Sequence, residues 1–230
     1  MDTIKVADGR FSYETTLGDE ATFIIVFPNY SELPVFGKSG TMAEISGDAS
    51  HLKEVEIKGD KTNEDMTAFR LSAANMSPPQ AKKAAQEYIN KHPKSIVSLY
   101  LIKKYFINTA EPDYVMAYTL AQSMVKADKN NARASMLVRQ LKELQNVKKG
   151  GRLPSFSAVD IDGKAVSGAK LNGKLNVIIS WAGWNYESVN IQRELRKQKK
   201  TFGDKLQVIG ICLDADTVHC RRTIRIDSLR

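Results

Sequence analysis

Val177-Ile178-Ile179-Ser180-Trp181-Ala182-Gly183-Trp184-Asn185-Tyr186-Glu187-Ser188 is the stretch on which the fold reading turns. The apolar run Leu175 to Trp181 has no period-2 alternation, so it reads as a strand buried on both faces. Glu187 to Phe202 follows with a helical pattern, and Leu206 to Leu213 is a second apolar strand. Two parallel strands joined by a helix cross over right-handed, which makes this βαβ unit the seed of an α/β sheet. Immediately upstream, Leu153-Pro154-Ser155-Phe156 and Val159 to Val166 read as a hairpin turning at Asp162-Gly163.

Working further outward, residues 62–149 have a helical period broken by Pro and Asn. Helices are expected at about 63–75, 79–91, 95–108, 112–126 and 131–148. Pro79 and Pro112 suit first-turn positions, and Gly150-Gly151 is a stop. The stripe Tyr100, Leu101, Tyr105, Phe106, Tyr114, Met116, Tyr118, Leu120 reads as packing between helices rather than a ligand groove. Residues 1–60 read as β structure. Strands are expected at Thr3–Val6 and Arg10–Thr15 around an Asp8-Gly9 turn, then at Ala21–Phe27, Leu33–Phe36, Thr41–Ser46 and Glu54–Lys58. The first of these begins almost at the first residue, which points to a strand or two upstream. The expected organisation is a small β domain at 1–61, a helical connector at 62–149 and an α/β segment at 150–230.

Composition narrows the class. At 230 residues, with 42% hydrophobic and 26% charged side chains, the chain is globular and has room for two units. No stretch approaches the roughly 18 to 20 consecutive apolar residues of a membrane-spanning helix. Met1 to Lys5 has no basic stretch followed by an apolar one, so a cytosolic protein and one whose signal was removed both stay open. The net charge of +8 is uneven. Residues 1–150 carry 20 basic against 18 acidic groups, and residues 151–230 carry 14 against 8. The excess gathers in Arg193, Arg196, Lys197, Lys199 and Lys200 on the expected helix, and in Arg221, Arg222, Arg225 and Arg230 in what reads as a ragged tail. Such clusters can bind phosphates, but no aromatic interleaving or nucleic-acid motif accompanies this one. It reads as a solvated face, and no nucleic-acid partner is expected.

The quoted stretch, together with Leu153 to Phe156, Asp160-Ile161-Asp162-Gly163-Lys164 and Leu171-Asn172-Gly173-Lys174, resembles the opening of the TlpA/ResA-like thioredoxin family, related to the AhpC/TSA peroxiredoxins. In that family a Trp-Ala-x-Trp segment runs directly into Cys-x-x-Cys at the start of the first long helix. Trp181-Ala182-Gly183-Trp184 matches. The two cysteine positions fall on Asn185 and Ser188, with Tyr186 and Glu187 between them. Residues 1–60 are similar to the small β domain of unknown function that precedes thioredoxin-like domains in Gram-negative envelope lipoproteins. The matching segments are Val6 to Ser12, Ile45 to Asp48 and Val55 to Asn63, and Tyr88 to Ser98 resembles the joining helix. The resemblance implies a periplasmic or cell-envelope location, with a lipid anchor on a leader absent from this sequence. It also implies further strands, a cis-proline loop and a helix beyond the second parallel strand. The thioredoxin-like segment is therefore expected to be incomplete, the sheet being finished by downstream sequence or by strand exchange in a homo-oligomer.

Disulfide exchange needs a thiolate to attack sulfur, and an amide at Asn185 cannot supply one. The Ser188 hydroxyl has no His or Lys beside it to activate it. Both read as N-cap residues for the helix. The remaining thiols are Cys212, expected in the core of the second strand, and Cys220, expected in the tail, with a disulfide between them disfavoured. His219-Cys220 with Asp214 and Asp216 falls short of a four-ligand zinc set, so no metal is expected, and no cofactor either. His51 and His92 read as surface residues without a paired acid, and Asp160 and Asp162 as turn residues. The leading reading is an envelope thioredoxin-like protein without its redox site, which binds a protein or small-molecule partner or acts as a scaffold. The alternative is a thiol–disulfide oxidoreductase or peroxiredoxin-like enzyme working through Cys212, Cys220 or cysteines beyond residue 230. A basic nucleic-acid binder is the third.

Overall fold

A computed structural model describes residues 2–147 and 150–226. The expected helix end at Lys148 and the terminal Arg230 lie outside them. The fold is mixed α/β and divides into two compact units, 1–152 and 153–230.

In the first unit, β1 (Ala21–Val26) and β2 (Glu32–Gly37) form an antiparallel hairpin in register from Ala21 opposite Gly37 to Val26 opposite Glu32. Strands β3 (Glu44–Ser46) and β4 (Glu56–Lys58) pair antiparallel. Leu33, Val35, Val55 and Ile57 form the buried core between the hairpins, with Phe23, Ile25 and Ile45 packed on it. Gly59 turns β4 into α1 (Lys61–Ala73). Its φ is +109°, and a Cβ there would come within 2.1 Å of the Met42 carbonyl oxygen, so no other residue fits. The expected strands at Thr3–Val6 and Arg10–Thr15 do not form. Only an isolated bridge between Ala7 and Arg10 closes around Asp8-Gly9, whose φ values of 49° and 73° are those of a two-residue hairpin turn. The turn chemistry was read correctly, but the flanking alternation leaves Val6, Phe11 and Tyr13 exposed, and a hairpin that buries nothing gains little from extending.

Each of the five helices of this unit starts at a residue that suits a cap. Asp60 accepts from the Thr62 and Asn63 N–H groups before α1, and the Gln80 side chain reaches back to the Ser77 N–H before α2 (Pro78–Lys91). Ser95, Asp113 and Asn131 each accept from the helices they precede: α3 (Ile96–Ile102), α4 (Tyr114–Ala127) and α5 (Ala132–Leu144). The expected helix at 95–108 continues from α3 as a π-helical turn over Lys103–Ile107. Leu101, Phe106 and Leu120 of the aromatic and aliphatic stripe are buried in one helical core, with Tyr100, Tyr105, Tyr114, Met116 and Tyr118 packed against it. The helices join the sheets through one face of α1. Buried Asn63 hydrogen-bonds both backbone groups of Phe36 on β2, and Thr67, one turn on, hydrogen-bonds the backbone of Ile57 on β4.

In the second unit, β5 (Ser157–Val159) and β6 (Ala165–Ser167) pair antiparallel. Their turn is held by Asp160, whose carboxylate accepts from the Asp162 and Lys164 N–H groups, with Gly163 at φ +82°. Strands β7 (Leu175–Trp181) and β8 (Leu206–Cys212) pair parallel, Leu175 opposite Leu206 and Trp181 opposite Cys212, joined by α6 (Tyr186–Phe202). The expectation of burial on both faces is corrected. Leu175 is 53% and Ile211 48% exposed, and among the described residues the two strands form a sheet of two. The ragged tail is also corrected: Thr217–Ile226 is a helix, α7. Its signal was a short amphipathic repeat, Cys220, Thr223 and Ile224, hidden among arginines.

Candidate functional site

The Trp-Ala-Gly-Trp segment leaves the carboxyl end of β7 and enters α6, the end of a parallel sheet where α/β proteins bind ligands. Trp181 is 4% exposed and packs with Val189 and Cys220 as the core of the unit. The loop that follows is tied at Gly183, whose N–H donates to Asp214 Oδ1 at 2.8 Å. A Cβ on Gly183 would fall 2.6 Å from Thr223 Oγ1 and 2.9 Å from Asp214 Oδ2, so glycine lets the loop close on β8 and α7. Sequence reasoning weighed Asp214 only as a metal-ligand candidate and passed over Thr223. Nothing in their spacing announces the contact, which depends on the unexpected helix α7.

Asn185 is the N-cap of α6, and its side chain accepts from the Ser188 N–H at 2.9 Å. The Ser188 hydroxyl accepts from the Ala182 N–H at 3.1 Å and donates toward the Asn185 carbonyl at 2.9 Å and the Ala182 carbonyl at 3.2 Å. Asn185 is thus the cap it was read to be, whereas Ser188 lies within the first turn of α6 and its hydroxyl fastens the Ala182–Asn185 backbone instead of capping the helix. An amide and a serine hydroxyl bonded to backbone carbonyls offer no group that attacks sulfur at neutral pH. The residues around them face solvent. Trp184 is 78% and Tyr186 70% exposed, and the Arg193 guanidinium lies 5.8 Å from the Tyr186 ring centre. Glu187, in the first turn of α6, complements the positive end of the helix dipole. Trp184, Tyr186 and Arg193 are the residue types that dominate binding hot spots.

The basic face of α6 is partly absorbed by local structure. Lys197 pairs with Glu194 at 3.4 Å, Lys199 donates to the Leu206 carbonyl at 2.6 Å, and Arg193 donates to Asn190 Oδ1 at 2.8 Å. On α7, Arg221 donates to the Ile161 carbonyl. The two thiols, assigned separately to strand and tail, are brought together in the core around Trp181. Burial pushes the Cys212 thiol up to about 12, its neighbour Cys220 adds to the rise, and the Asp214 N–H opposes it. His219 lies 2.8 Å from Asp216, which also caps α7 through the His219 N–H. His51 has a paired acid after all, Asp48 at 3.6 Å on the surface, and His92 stacks on Tyr88. Among the described residues no group of three or more His, Cys, Asp and Glu side chains is placed to hold a metal ion, and no helix is long and apolar enough to cross a membrane.

A family described as a domain of unknown function (DUF4369) matches residues 1–66, well under half of the chain. Among solved structures, the chain is similar to a thioredoxin-like protein from Bacteroides caccae ATCC 43185, with 13% identity and a TM-score of 0.44. That alignment covers 65% of this chain and 58% of the other, so the chain spans less than two thirds of its length. The curated proteins give no match.

Proposed function

We propose that the chain is a thioredoxin-like protein of the cell envelope whose ancestral redox turn has become a binding surface. On this reading the turn between β7 and α6 displays Trp184 and Tyr186 to a protein partner and performs no thiol–disulfide exchange. The observation that carries it is the turn itself. The Asn185 side-chain oxygen caps α6 and the Ser188 hydroxyl bonds the turn's backbone where the related enzymes hold sulfur, while the aromatic residues beside them face water. Exposing two large aromatic rings in one turn costs solvation that folding does not recover, and contact with a partner does. The envelope location rests on the resemblance of residues 1–60 to envelope lipoprotein domains. Labelling of the full-length product with a radioactive fatty acid, together with cell fractionation, tests it, and a cytosolic unlipidated product overturns it.

The binding reading is tested by purifying the protein from its own cells after cross-linking, as wild type and as Trp184→Ala/Tyr186→Ala. A protein that is cross-linked to the wild type and lost from the variant is the expected result. Equal capture by both, or none by either, removes the turn as the binding surface.

A further inference from the structure

Cys212 and Cys220 are the chain's only cysteines, with seven residues between them, and the fold places both in one cluster. Cys212 closes β8 opposite Trp181, and Cys220 sits in the first turn and a half of α7, 4% exposed against Trp181 and Val189. The segment between them is fixed at both ends, by the Leu213 N–H donating to the Trp181 carbonyl at 2.8 Å and by Asp216 capping α7. Two thiols confined in this way meet far more often than they do in an unfolded chain, and residues 1–230 hold no third cysteine to compete for the pairing.

We propose that Cys212 and Cys220 are a redox modification site that forms an intramolecular disulfide, fastening α7 to the end of β8, by exchange with a small-molecule disulfide such as oxidised glutathione. One cysteine thiolate attacks a glutathione sulfur; the glutathione S–S bond breaks and the first glutathione leaves, taking up the proton. The second cysteine, losing its proton to solvent, displaces the second glutathione. Two protein thiols are oxidised and one glutathione disulfide is reduced to two thiols. The bond is a latch and not a catalytic centre, since a buried Cys220 cannot be reached by a protein disulfide and a Cys212 thiol held high is a slow nucleophile. The latch is independent of the binding reading, because it involves neither Trp184 nor Tyr186.

The test equilibrates the full chain with reduced and oxidised glutathione, quenches with an alkylating reagent and weighs the products, in buffer and in urea. The expected result is one monomeric species that has lost both thiols and about 2 Da. Its equilibrium constant should be at least about tenfold larger in buffer than in urea, which the thermodynamic cycle equates to about 1.4 kcal/mol of stability given by the bond. An equal or smaller constant in buffer, a persistent glutathione adduct or a disulfide-linked dimer overturns the proposal.

Discussion

Replacing Asn63 with alanine is expected to cost the first unit about 3 kcal/mol of stability, more than its modest size suggests. Strand β2 has β1 on one edge only. On the other, the Asn63 amide takes the place of a strand. Its Oδ1 accepts from the Phe36 N–H at 2.9 Å, and its Nδ2 donates to the Phe36 carbonyl at 2.7 Å and to Asp60 Oδ2 at 2.5 Å. The two bonds to Phe36 are buried, so alanine strands two backbone groups away from water. Each costs about 1–3 kcal/mol, giving a gross loss of about 2–6. Against this stands about 0.7 kcal/mol from the better helix propensity of alanine. Urea unfolding followed by helical circular dichroism reads the loss. Asn63→Leu, which keeps the bulk and removes both hydrogen bonds, should be as damaging. A loss below about 1 kcal/mol for either variant refutes the surrogate-strand account.

Asn185→Ala removes the cap of α6 and should cost about 1 kcal/mol, seen as faster hydrogen exchange at the Ser188 amide; unchanged exchange contradicts the capping role. Trp184→Ala and Tyr186→Ala should each leave the unfolding free energy, read by urea titration, within about 0.5 kcal/mol of the wild type, because exposed rings contribute little to folding, and a larger drop means they are packed. Burial pushes the Tyr100 hydroxyl up to about 12. Its contribution to stability is complete below pH 10 and fades as pH climbs from there toward 12, so phenolate absorbance should show a late-titrating tyrosine that Tyr100→Phe removes. Asp113 behaves oppositely. Partial burial raises its carboxyl, but the Met116 N–H and Lys82, 3.0 Å away, outweigh that and hold it below 3.8. Its stabilisation is present above pH 3.8 and lost as pH falls below it, so the acid limb of a stability–pH profile should flatten in Asp113→Asn.

The helices were legible because their signals are local. The helical period and the Pro and Asn at its breaks place them, and the Tyr100 to Leu120 stripe marks the core. Pro79 falls in the first turn of α2 as expected, while Pro112 lies before the Asp113 cap of α4 and not in its first turn. The βαβ crossover was legible for the same reason, its strands being dense apolar runs. What escaped depends on distant partners. Arg10 to Thr15 alternates as a strand does but has nothing to bury against, and α7 has only one buried residue among its charges. The tie from Asn63 to Phe36 spans 27 positions, and Asp214 reaches Gly183 across 31, separations that no periodicity encodes. At the site, the residue types of the turn disclosed the absence of sulfur. They disclosed the Asn185 cap as well, but not that Ser188 would sit inside the helix and bond back to the Ala182 and Asn185 backbone.

The reduction of insulin disulfides by the purified chain, with dithiothreitol as the terminal reductant, puts the whole reading at risk in one trace. Cysteines introduced together as Asn185→Cys/Ser188→Cys serve as the positive control. The wild type should precipitate insulin no faster than dithiothreitol alone, and the double variant faster. Wild-type turnover clearly above that background would contradict the claim that the mouth of α6 has lost its chemistry.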